Sequence, residues 1–177
     1  MITIITQTRM VNDMKRFQAL LLAGVMALGL CACSDDSVTA DAMSVGEQLM
    51  EADTSLPDMS VVTSKDENAE LNFSMLCDAD YKLVDSYYYA YASDGTAPEI
   101  AVVTTKKESD NAKVMEAVIS HVETRRGTMA EYSPDQVELV SNYTLVRRGR
   151  VICYIVSEKR GLAEQAFTEY MDSAGGQ

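Results

Sequence analysis

One side chain in this sequence has surroundings that name a reaction. Cys33 closes the run Leu30-Cys31-Ala32-Cys33, with a leucine three positions before it and a small alanine just before it. That is the pattern at which a diacylglyceryl group is attached to a thiol ahead of signal cleavage. Cys31 competes for the role, but Leu30 in front of it is large where the cleavage site favours a small residue. Other reactive types are spread more thinly. Tyr87, Tyr89 and Tyr91 alternate, so in a strand they share one face, with Tyr88 on the other. Such a row can stack on a sugar or grip a protein while keeping its hydroxyls wet; its plainer use is to pack under helices or loops. Arg147, Arg148 and Arg150 flank Gly149, and guanidinium forks match phosphate geometry. A solvated hairpin tip that discourages edge pairing uses the same residues.

Counting removes other chemistries. His121 is the single histidine, which rules out a His-based zinc site or a His relay. It falls at the edge of a helical apolar stripe, beside no recognisable nucleophile motif, and reads as a boundary residue. Beyond Cys33 only Cys77 and Cys153 remain, too far apart for metal-ligand spacing; they are either one disulfide or two small buried thiols. Asp78 and Asp80 lack the glycine and the later acidic ligand of a calcium loop. Glu108, Asp110, Glu116, Glu123, Glu131 and Asp135 offer carboxylates for acid and base roles, but only geometry can pair them. The expectation is no metal and no cofactor.

The elements that must carry these residues begin with a secretion signal. Lys15 and Arg16 form a basic start, residues 17–30 are charge-free and apolar but short for a membrane span, and polar Ser34-Asp35-Asp36 follows. Residues 1–32 are thus read as a lipoprotein signal peptide, of which 1–13 are an extended n-region or an over-called start before Met14. Residues 33–43 read as a lipidated acidic tether and 44–177 as one domain. Cleavage takes the net charge from −12 to about −14, because Asp13, Arg9, Lys15 and Arg16 are lost. That field repels nucleic acid, so no nucleic-acid role is expected.

Within the domain, Ser44 and Glu47 suggest a capping box for a short helix with Val45, Leu49 and Met50 inward. Leu56-Pro57-Asp58-Met59 breaks it, and residues 66–75 follow as a second helix with Leu71 and Met75 inward. Residues 82–92 and 99–107 form a hairpin about Ser93-Asp94-Gly95. A long helix spans 109–129 with Met115, Val118, Ile119 and Val122 as its buried stripe. A short helix over 134–141 and a second hairpin, 143–147 with 151–157, lead to a last helix marked by Leu162, Ala163, Ala166, Phe167, Tyr170 and Met171. The expected fold is therefore α+β: a four-stranded antiparallel sheet of two hairpins with helices packed mainly on one face. Both rows of residues 151–156 are apolar, which leaves the second face for a partner to cover.

The segments Leu56-Pro57-Asp58-Met59, Ala97-Pro98-Glu99-Ile100-Ala101 and Tyr132-Ser133-Pro134-Asp135-Gln136, set behind a lipobox and acidic tether, resemble a family of small lipoproteins from Gram-positive gut bacteria, the domain of unknown function numbered 4358. The resemblance implies an extracytoplasmic, lipid-anchored α+β domain and carries no functional residues across. The function expected is a binding or interaction module rather than an enzyme. It would be held to the outer face of the cell membrane through Cys33 and would contact an envelope protein or glycan through Tyr87, Tyr89 and Tyr91, with Arg147, Arg148 and Arg150 as an anion site. The alternatives are a small envelope hydrolase using paired carboxylates and a structural envelope subunit.

Overall fold

The computed structural model describes residues 40–175; the signal peptide, Cys31, Cys33 and most of the tether lie outside them. Five strands, β1 (Met59–Thr63), β2 (Val84–Ala92), β3 (Glu99–Thr105), β4 (Thr144–Arg148) and β5 (Val151–Val156), pair in the order β1-β2-β3-β5-β4, every neighbour antiparallel. Both expected hairpins are present. The β2–β3 turn carries Gly95 at φ 79° and the β4–β5 turn Gly149 at φ 53°, left-handed positions that glycine fills without strain. The mixed α+β class stands.

The strand count is corrected from four to five. β1 falls where only the end of a helix break was expected, and five residues with Ser60 and a half-exposed Val61 are too short to establish a period. It nonetheless pairs along its whole length, from Met59 opposite Ala92 to Thr63 opposite Tyr88.

The helices are corrected too, because they cover both faces. Every residue of β3 and β5 is buried, as strands with two apolar rows require. On one face α1 (Ala42–Ala52) and, at the C-terminal end, α5 (Arg160–Gly175) pack on Tyr88, Ile100, Val102, Val151, Cys153 and Ile155. On the other lie α2 (Ala69–Phe73), the 22-residue α3 (Asn111–Tyr132) and α4 (Val137–Ser141), over Tyr87, Tyr89, Val103, Ile152 and Tyr154. The chain's own helices thus cover the face reserved for a partner.

Local departures have simple causes. α1 starts at Ala42 with Asp41 as N-cap and no side-chain cap bond; Ser44 sits in the first turn and donates to Asp41 Oδ2 at 3.4 Å. Phe73, not Leu71 or Met75, is the inward residue of α2, tilted against Tyr87 with ring centroids 5.2 Å apart. Ile119 is exposed while Val114, Val118 and Val122 form the buried i, i+4 line. Gly46 is the tightest approach: a Cβ there would lie 2.2 Å from Tyr88 Cδ1, so only glycine lets α1 settle on the sheet.

Candidate functional site

Glu99 opens β3 behind Pro98 and, by alternation with Ala101 and Val103, turns its carboxyl into the layer beneath α3. It is 2% exposed, and a buried carboxylate must find donors. Three groups supply them and a fourth adds a charge. Tyr89 donates its hydroxyl to Oε1 and Tyr154 donates to Oε2, each at 2.9 Å. His121 Nε2 lies 2.9 Å from Oε2, and Arg125 Nε 3.1 Å from Oε1. The two helix residues stand one turn apart on α3, so both reach the same carboxyl. Arg125 Nε makes an ion-pair contact without hydrogen-bond alignment, while its Nη2 donates to the Thr96 carbonyl at 3.0 Å. The imidazole stands edge-on between the Tyr89 and Tyr154 rings, at 6.4 and 6.1 Å.

The electrostatics follow from that shell. Burial alone would raise the Glu99 pKa, but the hydrogen bond and charge of His121, the charge of Arg125 and the Tyr89 hydroxyl outweigh it and hold the carboxyl below its ordinary range. Burial, followed by the Glu99 charge, pushes the Tyr89 and Tyr154 hydroxyls upward, so both stay protonated donors. Glu99 is therefore an ionised acceptor, the opposite of the raised carboxyl that a general acid needs.

Of the four partners His121 also lines a cleft. Residues 74–83 and the first half of α3 enclose about 720 Å³, with Met75, Cys77, Asp78, Lys113, Glu116 and His121 among its walls. That volume suits a small ligand. Burial pushes the Cys77 thiol up, which keeps it from acting as a ready nucleophile.

The residues singled out from the sequence are placed differently from expectation. Tyr87, Tyr89 and Tyr91 do share a face, but it is the covered one. Tyr87 and Tyr89 are buried, with Tyr87 donating to the Ala69 carbonyl at 2.8 Å, and Tyr91 is half-buried, so the three are not an open platform. Arg147, Arg148 and Arg150 do not converge. Arg147 meets Glu108 at 3.0 Å, Arg148 lies 3.9 Å from Asp172, and Arg150 donates to the Thr105 and Lys106 carbonyls. Cys77 and Cys153 are free thiols in cores on opposite faces of the sheet. Among the described residues no three or more His, Cys, Asp or Glu side chains come together to hold a metal, and no helix is long and apolar enough to cross a membrane.

A family model described as Domain of unknown function (DUF4358) matches residues 58–157. The chain belongs to the DUF4358 family. No curated protein and no solved structure matches it. The DUF4358 stretch holds all five strands, the helices of the α3 face and every member of the Glu99 cluster; α1 and α5 fall outside it. Pro57, Pro98, Asp135 and Gln136, from the three segments that carried the resemblance, line a second cleft of about 570 Å³, where Ala97 N donates to Gln136 Oε1 at 2.6 Å.

Sequence reasoning missed Glu99, Arg125 and Tyr154. Two signals pointed to them. Glu99 is the one charged residue in an otherwise uncharged strand, and His121 and Arg125 are spaced i, i+4 at the margin of the helix's apolar stripe.

Proposed function

We propose that this DUF4358 domain is a lipid-anchored, extracytoplasmic binding module whose ligand site is the cleft between residues 74–83 and α3. The observation that carries the reading is the Glu99 cluster: a buried, ionised carboxylate held by two tyrosine hydroxyls, the His121 imidazole and the Arg125 charge, of which His121 alone borders the cleft. A protein that needed only a core would fill this layer with apolar side chains, since a buried ion network adds little net stability. Here it holds one imidazole in a fixed pose beside open space, which is what a binding site requires of its supporting shell.

Cys33, in its Leu30-Cys31-Ala32-Cys33 setting, supplies the anchor, and two or more acyl chains would make it firm. The partner is a small envelope ligand or an exposed part of a larger envelope molecule that enters the cleft. A ligand screen on the full chain tests the site: hits are expected to shift the NMR signals of Cys77, Ala117, Ser120 and His121, and His121→Ala should weaken them about tenfold or more, the loss of one well-placed polar contact. Ligands that map reproducibly to another surface would overturn the site. Membrane fractionation tests the anchor, with Cys33→Ala expected to release the chain.

A further inference from the structure

Strand direction sorts the domain into two ends. β3 and β4 finish, and β2 and β5 begin, at the same one: Val84 stands opposite Thr105, and Val151 opposite both Thr104 and Arg148. α3 starts there too, where Asn111 Nδ2 donates to the Gly149 carbonyl at 2.8 Å. The chain enters the domain at this end. Ala40 accepts from Thr104 Oγ1 at 2.9 Å, and Ala42 N donates to Ser86 Oγ at 3.5 Å. Six residues lie between Cys33 and Ala40, a stretch of chain that spans at most about 25 Å. A domain of this length is about 35 Å across, too far for the opposite end to turn down onto a bilayer that holds Cys33.

The same end gathers basic side chains. Lys82 precedes β2, Lys106 and Lys107 follow β3, and Arg147, Arg148 and Arg150 surround the β4–β5 turn, making six of the twelve basic residues beyond Cys33. Lys106 N donates to the Leu83 carbonyl at 2.8 Å, and Arg150 Nη1 to the Thr105 and Lys106 carbonyls, which ties the three segments together. Acidic groups stand among them. Glu108 pairs with Arg147 and Asp172 lies near Arg148, with Asp41, Asp80, Asp85 and Asp110 in the adjoining segments. These two sets balance in number, so the net of about −14 beyond Cys33 falls on the rest of the domain and on Asp35 and Asp36 of the tether. Lys82, Lys106 and Lys107 are exposed and make no ion pair among the described residues.

We infer that this end is a docking surface for the anionic lipid bilayer that holds the anchor, with Lys82, Lys106 and Lys107 meeting headgroup phosphates. This rests on the Cys33 anchor. Tether and charge act in the same sense, because an anionic surface repels the acidic remainder of the domain and attracts the unpaired lysines once they lie within about 8 Å, the screening length at physiological salt. The second cleft, lined by Pro57, Thr96, Pro98 and Gln136 at the opposite end, then faces away from the membrane.

The test uses the full lipidated chain in phosphatidylcholine vesicles with or without phosphatidylglycerol. A small fluorophore is attached through Ser109→Cys at the docking end or Glu131→Cys at the far end of α3; both positions are exposed, whereas Cys77 and Cys153 are buried. A lipid with a nitroxide on its headgroup serves as quencher. With phosphatidylglycerol present, quenching is expected to be about threefold stronger or more at 109 than at 131. That ratio should fall by about half or more in phosphatidylcholine alone, at about 1 M NaCl, where the screening length is about 3 Å, or in a chain carrying Lys82→Gln, Lys106→Gln and Lys107→Gln. Equal quenching at the two positions, or a ratio that ignores lipid charge, salt and the three lysines, overturns the docking surface while the chain still floats with the vesicles. A chain that carries no acyl group and does not float sinks the anchor, and this inference with it.

Discussion

The two faces of this sheet are built from the same strands and do different work. Beneath α1 and α5 the inward residues are Tyr88, Ile100, Val102, Cys153 and Ile155, and the closest fit is a glycine against a tyrosine ring. Beneath α3 the alternate residues of the same strands include Glu99, Tyr89 and Tyr154, whose polar atoms all meet. One face is held mainly by shape and the other by a cluster of polar side chains gathered on one carboxylate. The DUF4358 match divides along the same line, taking in the sheet and the polar face but neither α1 nor α5. The lesson is that burial alone does not tell a structural face from a functional one. What separates them is whether buried polar atoms lead to open space.

The largest effect expected is on the polar face. Glu99→Leu leaves the Arg125 charge and two tyrosine hydroxyls without their shared acceptor and should destabilise by about 3–5 kcal/mol, read from urea unfolding. Acid should do the same gradually. Because the folded-state pKa of Glu99 is depressed, its contribution is fully present above the ordinary glutamate value of 4.5 and is lost as pH falls below it through the lowered folded value. The acid loss in wild type should therefore be blunted in Glu99→Leu. If both chains lose stability alike below pH 4.5, the polar face is not what acid attacks. Next comes the shape-held face: Gly46→Ala puts a methyl group into the Tyr88 ring and should destabilise by about 1–3 kcal/mol. Tyr88→Leu in the same chain should recover part of that loss, and an additive double variant would mean that the two positions do not touch.

What the sequence disclosed follows the same division. Periods of two and of about 3.6 revealed four of the strands, both hairpins, the long helix and the last one, because each buries a continuous row. β1 escaped because five residues cannot establish a period, and the two-sided cover escaped because alternation puts residues on a common face without saying what lies over it. Tyr87, Tyr89 and Tyr91 show that limit directly: their common face was legible and its burial was not. The candidate site was nearly invisible for a related reason. Its members come from β2, β3, β5 and α3, and only the pairing that sets β3 between β2 and β5 brings Glu99 within reach of Tyr89 and Tyr154. His121 read as a boundary residue because a helical wheel shows the edge of a stripe but not the carboxylate waiting across it.

Smaller substitutions sharpen the comparison at single atoms. Tyr154→Phe removes one hydroxyl that donates to a charged acceptor and should destabilise by about 1.5–3 kcal/mol. Tyr88→Phe removes a hydroxyl from the opposite face, where among the described residues it has no hydrogen-bond partner, and should change stability by less than about 0.5 kcal/mol. Equal losses for the two would mean that ring packing, not the hydroxyl bond to Glu99, dominates on both faces. Smallest of all should be Arg148→Ala. Its guanidinium and Asp172 are each more than half exposed and lie 3.9 Å apart, a spacing and setting in which solvent and salt screen the pair. Stability should move by less than about 0.5 kcal/mol and should not become more sensitive to salt. A larger, salt-dependent loss would show that the arginine hairpin and the end of α5 are joined by something beyond this pair, and would make the tip of β4 part of what holds α5 on the sheet.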